Sequence, residues 1–228
     1  MKALLLSNPD YQTLLLHGLA LTLKLFTVSW VLALALACLL AAVRASPSRW
    51  AQAGVAAFVE YHRNVPGLVQ IFVWYFGVPQ LLPTEMQRWI NRNDGEFILS
   101  CVALTLYAAA YMCEDLRSGL RSVAPGQGDA ARSLGMTHAQ VLRLVLLPQA
   151  LRAALPPLVN QTLTLFKATS LAMTIGVAEV MHAARQMENE TYRTFEAFLI
   201  ASACYLALSW TIMGAGAWLG RRTARAGT

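Results

Sequence analysis

The run LALTLKLFTVSWVLALALACLLAAV, residues 19–43, carries Lys24 as its only charged side chain. About 20 consecutive apolar residues are enough for a helix to cross the hydrocarbon of a bilayer, and a run this uniform has no polar face to turn toward water. Four further segments meet the same criterion, at about 55–78, 97–120, 153–180 and 195–219. In lipid every backbone N–H and C=O must find a partner, and a helix supplies these within its own segment. The expectation is an all-α membrane protein of about five transmembrane helices, with 1–228 forming a single transmembrane domain. Charged residues make up 13% of the chain, against about a quarter in soluble domains.

An odd number of spans puts the termini on opposite sides, and the basic residues decide which. One set of connections holds Arg44, Arg49, Arg117, Arg121, Arg132, Arg143, Arg152, Arg221, Arg222 and Arg225. The other holds Lys2, Arg88, Arg92, Arg185 and Arg193, diluted by Asp10, Glu85, Asp94, Glu96, Glu188, Glu190 and Glu196. Lys and Arg favour the cytoplasmic side, so the N-terminus is expected outside and the C-terminus in the cytoplasm. The net charge of +6 then reads as membrane orientation and not as a nucleic-acid partner. The outer face is expected to be acidic and poor in aromatics, with a long loop at 79–96. Cys38, Cys101, Cys113 and Cys204 form no CxxC pair and read as small packing residues, and no metal site is expected. No internal repeat is visible.

The longest cytoplasmic loop, about 121–152, contains GDAARSLGM. Pro125-Gly126 reads as a turn. Asp129, Ala130, Ala131, Arg132, Ser133 and Leu134 fit a helix of under two turns. Its acid is near the favourable end of the dipole, and its alanines leave a low surface. Gly135 suits a left-handed stop. Beyond Met136, Thr137 with Gln140 fits a capping box that starts a new helix, which Pro148 is expected to kink or break. A rigid, low-profile knob held between two stops suits docking into a groove, because large flexible side chains would lose entropy on contact. An ordinary ordered loop fits the same residues.

Asp129-Ala130-Ala131, three residues, Gly135, nine residues, then Val145-Leu146-Leu147-Pro148 resembles the EAA signature of bacterial ABC importer permeases, E-A-A-x3-G-x9-I-x-L-P. Asp129 stands for Glu and Val145 for Ile. FVEYHRNVPGLVQIFVWYFGVP is similar to the second-span block of polar amino acid permeases, E-x-x-R-G-T-P-x-x-V-Q. Glu60, Arg63, Pro66 and Gln70 match it, and Asn64 and Val65 depart. YAAAYMCEDLRSGLRSVAPGQG resembles that family's third span. The glutamate/aspartate branch is the nearest in appearance.

The resemblance implies the type I ABC importer permease fold (MetI-like) and a multi-pass place in the bacterial inner membrane. It also implies that Asp129, Ala130, Ala131, Arg132, Leu134, Gly135 and Met136 form a coupling helix seated on a separate ATP-binding cassette ATPase. The implied partners are that ATPase, a second permease subunit (a related chain favoured over a second copy), an external solute-binding protein and the lipid bilayer. The chain has no GxxxxGK[ST] phosphate loop, so no cofactor is expected on it. ATP and Mg would be used by the partner, and the chain itself is expected to be non-catalytic.

Ionisable residues inside spans are functional candidates, since one at mid-bilayer costs roughly 2.5–3.5 kcal/mol even on the mildest scale. Lys24 is placed to snorkel outward. Glu60 and Arg63, and Glu114 and Arg117, sit three apart on a helix and can pair. The first pair suits structure or gating, the second an anchor for the loop. Lys167 lies mid-span amid Asn160, Gln161, Thr162, Thr164, Thr169 and Ser170. Asn160, Gln161, Lys167, Thr169 and Ser170 are the candidate pathway residues, with interhelical packing as the competing role. The stretch resembles the family's K-D-T-S-L block with Ala168 in place of Asp. An ion-gradient-driven secondary transporter of small polar solutes is the alternative. It would show inverted repeats and broken helices. The scattered His17, His62, His138 and His182 match no enzyme motif.

Overall fold

The computed structural model describes residues 5–225, and no side chain beyond Arg222. Lys2 and the side chain of Arg225 lie outside the described residues. A 3-10 turn (Leu5–Ser7) leads into α1 (Pro9–Arg44). Asn8 caps α1 by accepting the Asp10 N–H at 2.9 Å, and Pro9 takes the first helical position, where its missing donor is not needed. Ser48 caps α2 (Arg49–Asn64) through the Ala51 N–H. The apolar stretch Gly67–Leu81 comprises α3 (Gly67–Phe72), a π turn (Val73–Gly77) and α4 (Val78–Leu81). Next come α5 (Thr84–Arg92), α6 (Gly95–Arg121) and α7 (Gln127–Ser133). A continuous rod is then built from α8 (His138–Gln140), a π turn (Val141–Leu146), α9 (Leu147–Ala168) and a 3-10 turn (Thr169–Ile175). The chain ends with α10 (Val180–Thr191) and α11 (Thr194–Arg225).

The all-helical expectation holds among the described residues. Four helices are long and apolar enough to cross a membrane: α1, α6, the rod over His138–Ile175, and α11. The expected second span is different. It is interrupted at Val65-Pro66, where Val65 turns extended (φ −97°, ψ 130°). Proline lacks an N–H and pushes its predecessor out of the helical region. The fourth span is longer than expected, because Pro148 breaks nothing. The preceding π turn shifts the ladder by one residue, with the Leu147 N–H bonding to the Leu142 carbonyl, and the proline's missing donor falls where the register is already changing. The expected loop at 121–152 therefore shrinks to the residues around α7. The expected loop at 79–96 is largely the helix α5.

The centre of the bundle is α6, against which α1 and α9 pack. Small buried residues on α6 (Ala103, Ala108, Ala109, Ala110, Cys113) allow the close approach that helices need where lipid offers no hydrophobic drive. From α1, Thr22, Leu25, Ser29, Ala33, Ala37 and Ala41 recur every three or four residues and form the buried seam. Cys101 and Cys113 are buried, Cys204 is half-buried and Cys38 is exposed.

The two ends of the bundle differ in charge. At one, the Leu5 N–H donates to Glu196 at 2.6 Å, Tyr75 donates to Glu96 at 3.3 Å, and the Lys24 ammonium sits 4.8 Å from the centre of the Phe97 ring. This end is not poor in aromatics, contrary to expectation. Trp89 and Tyr192 are exposed there, as amphipathic rings are at a membrane–water boundary, and so is Phe195. The opposite end carries Arg44, Arg117 and α7.

Candidate functional site

Two glycines with positive φ, Gly126 (94°) and Gly135 (83°), bracket α7. The N–H of Gly135 bonds to the Arg132 carbonyl at 2.9 Å and that of Met136 to the Ala131 carbonyl at 3.2 Å, closing the last turn. Thr137 and Gln140 form the expected capping box one residue later. Buried Ala131 turns inward toward the rod, whose Val141 is also buried. A Cβ at Gly128 would lie 3.7 Å from the Val141 side chain. The other side of α7 is open: Asp129, Ala130, Arg132, Ser133 and Leu134 are exposed, with Leu134 84% exposed. Asp129 and Arg132 pair along the helix, and the Ser133 hydroxyl donates to the Asp129 carbonyl at 3.1 Å. The motif thus divides into a packed side and a presented side.

Beneath α7 the bundle is locked. The Arg117 Nε donates to Glu114 at 2.9 Å, and Arg44 approaches the same carboxylate at 4.0 Å. The expected Glu114–Arg117 pair therefore forms and also ties in α1. At Gly119, α6 touches α9 directly: a Cβ there would lie 2.5 Å from the Ala150 carbonyl oxygen and 2.8 Å from the Ala154 Cβ. The pair expected between Glu60 and Arg63 does not form. Glu60 is exposed, and the Arg63 guanidinium instead lies 5.4 Å from the centre of the Tyr111 ring. The Tyr111 hydroxyl donates to the Arg63 carbonyl at 3.1 Å.

The break at Pro66 is closed by Gln70, a motif residue whose role the sequence did not disclose. Its amide donates to the His62 carbonyl at 2.9 Å and to the Val65 carbonyl at 2.8 Å. Its Oε1 lies 2.6 Å from the His62 Nδ1. With both amide hydrogens spent on carbonyls, Oε1 must accept, which fixes the proton of His62 on Nδ1. The carbonyls freed by the break are thus satisfied within the fold. A second polar cluster was also missed. Glu179, fully buried, caps α10 through the Met181 and His182 N–H groups and accepts from the Tyr205 hydroxyl at 2.5 Å. Thr22 accepts from the adjacent Val180 N–H at 3.1 Å. An acid just before the start of a helix, opposite a polar residue in an apolar seam, was the available signal.

The structure divides the five candidate pathway residues. Asn160 and Lys167 are exposed and, with Thr164, lie on one face of α9. Ser170 is half-buried, its hydroxyl donating to the Lys167 carbonyl at 2.7 Å. Gln161 and Thr169 point into the bundle, at 8% and 0% exposure. The Thr169 hydroxyl donates to the Phe166 carbonyl, and the Gln161 amide nitrogen is buried without a partner. The open polar face is thus narrower than the polar cluster in the sequence.

A helical membrane bundle that presents a rigid terminal knob and carries an open polar face at mid-span defines a multi-pass transport subunit. Residues 33–225 match the family model described as "Binding-protein-dependent transport system inner membrane component". The chain belongs to that family.

It is 31% identical over 210 residues to the glutamate/aspartate import permease protein GltJ of Escherichia coli (strain K12), covering 90% of this chain and 85% of that one. It is 36% identical over 192 residues to the probable amino-acid ABC transporter permease protein PatM of Vibrio harveyi, covering 84% and 83% respectively. A crystal structure of an amino acid ABC transporter with histidines superposes with a TM-score of 0.84 at 31% identity, covering 97% of this chain and all of that one. The fold is the MetI-like fold of type I ABC importer permeases.

Proposed function

We propose that the chain is the transmembrane permease subunit of an ATP-driven importer of polar amino acids, with glutamate and aspartate the leading substrates. It would perform no catalytic step itself. The observation that carries this reading is the geometry of α7, a short helix pinned between two left-handed glycines with its outer side exposed and its inner side packed on the rod. The amino-acid names of the relatives support the substrate class, and the open face at Lys167 supports an anionic or zwitterionic cargo. In this reading the arginine-rich end lies in the cytoplasm, with the N-terminus outside, in the bacterial inner membrane. A separate ATP-binding cassette ATPase, using ATP and Mg, grips α7. A second permease subunit, related rather than identical, completes the pathway, and an external solute-binding protein delivers the substrate.

The rod supplies the mechanical link. It starts three residues after Gly135, at His138, and runs unbroken to Lys167, so movement of α7 shifts the polar face directly. The close contact at Gly119 passes the same movement to α6. Ala168, where the family carries Asp, leaves Lys167 without an adjacent counter-charge and makes the face more positive.

The test is uptake of labelled glutamate, aspartate and glutamine by cells expressing the complete transporter with Lys167→Met. Acidic substrate uptake should fall at least tenfold, while uptake of the neutral one falls less. Unchanged rates and selectivity in a variant that still assembles would remove Lys167 from the pathway.

A further inference from the structure

An apolar groove of about 460 Å³ runs along the bundle between α1 and α11, floored by α9. Phe26 and Leu34 line one wall, Ile212 and Leu219 the other, and Leu155 and Val159 the floor. Its polar groups are already engaged: Trp30 Nε1 donates to the Thr162 hydroxyl at 2.9 Å, and that hydroxyl donates to the Leu158 carbonyl at 2.8 Å. Nothing in the groove would hold water, and its contents must be apolar.

Helical register says which way it faces. On α9, positions 155, 159 and 162 lie nearly opposite 160, 164 and 167 at 3.6 residues per turn. The groove is therefore turned away from the polar face assigned to the pathway, toward the side a bilayer would occupy.

Charge says what closes its end. A Cβ at Gly216 would meet Val159 at 2.6 Å, and α9 and α11 are antiparallel. Counting one way along each helix from that contact brings Arg152 and Arg222 to the same level, one turn beyond Leu155 and Leu219. Arg221 falls on the opposite side of α11 from the groove-lining Ala215, Gly216 and Leu219. Arg221 and Arg222 are exposed, and the Arg222 guanidinium lies 4.0 Å from the centre of the Trp218 ring. Basic residues gathered at one end of an apolar slot between membrane helices match an anionic headgroup with its chain attached.

We propose that this groove binds one acyl chain of an anionic phospholipid, whose phosphate lies against Arg222 at the level of Arg152. The site is distinct from α7 and from the Lys167 face.

The test is native mass spectrometry of the full chain in mild detergent, supplied with phosphatidylglycerol or phosphatidylcholine. Phosphatidylglycerol should be retained in preference. The surface variant Arg222→Gln should lose it by about fivefold. Ala215→Trp, which obstructs the groove and leaves the arginines in place, should also lose it. Equal retention of the two lipids, or retention unchanged in the arginine variant, would overturn the proposal. So would a photo-crosslinker at Ala215 that captures a protein chain and no lipid, which would make the groove a subunit interface.

Discussion

Gly119→Leu is expected to abolish the assembled protein. The first side-chain carbon at this position would sit 2.5 Å from the Ala150 carbonyl oxygen and 3.1 Å from the Ala154 backbone nitrogen. Both obstacles are backbone, and Ala150 and Ala154 are themselves buried. No rotamer relieves such a clash, so α6 and α9 must separate. Overpacking of a core ordinarily costs about 1–3 kcal/mol, and forced separation of the two central helices lies at or above the top of that range. Yield of monodisperse protein in mild detergent, followed by size-exclusion chromatography, should fall at least tenfold. Gly119→Ala should already be impaired. Gly54→Leu is the control, because nothing lies within 4 Å of a Cβ at Gly54, and its yield should match the parent.

The second large effect separates folding from coupling. Gly135→Val adds a side chain where there is open space, so crowding is not the issue. The backbone is: φ is 83°, and a β-branched residue in the left-handed region is strained by roughly 1–2 kcal/mol. That strain is enough to shift the local population roughly five- to thirtyfold away from the observed turn. The spans should insert and the yield should hold, since α7 contributes little to the core. Substrate-stimulated ATP hydrolysis by the complete transporter should fall about tenfold. Gly135→Asn, a residue that tolerates this region, should retain most of the stimulation. Full stimulation with valine would mean that the orientation of α7 does not matter.

The parts of this structure legible in the sequence are those set locally. The apolar runs declared α1, α6 and α11 by length alone. The left-handed stop at Gly135 and the Thr137–Gln140 box depend on neighbours within a few residues, and both are where the sequence placed them. Glu114 and Arg117 pair because their spacing suffices. Where a partner arrives from elsewhere, sequence reasoning failed. Arg63 has Glu60 at the right spacing, yet it lies over Tyr111, which another helix brings in.

Hydropathy also ran straight through Val65-Pro66, although Pro66 marked the break. An average over a window does not register one missing N–H. Pro148 misled in the opposite sense, because the π turn ahead of it absorbs what a proline ordinarily disrupts. The polar residues of the 160–170 stretch do not share one face. Asn160, Thr164 and Lys167 have helical spacing, while Gln161 and Thr169 fall off that face. Gln70 matches the motif without disclosing a role, because the carbonyls it satisfies lack donors only once Pro66 breaks the helix.

On the proposed function, the presented side of α7 is the contact with an ATPase. Leu134 is the place to ask, because its side chain is 84% exposed and stands at the end of the knob. A photo-crosslinking amino acid placed there in native membranes, followed by mass spectrometry of the captured product, tests the contact directly. A single major adduct to a P-loop ATPase subunit is expected. Adducts to lipid alone, or to a protein without a phosphate-binding loop, would contradict it.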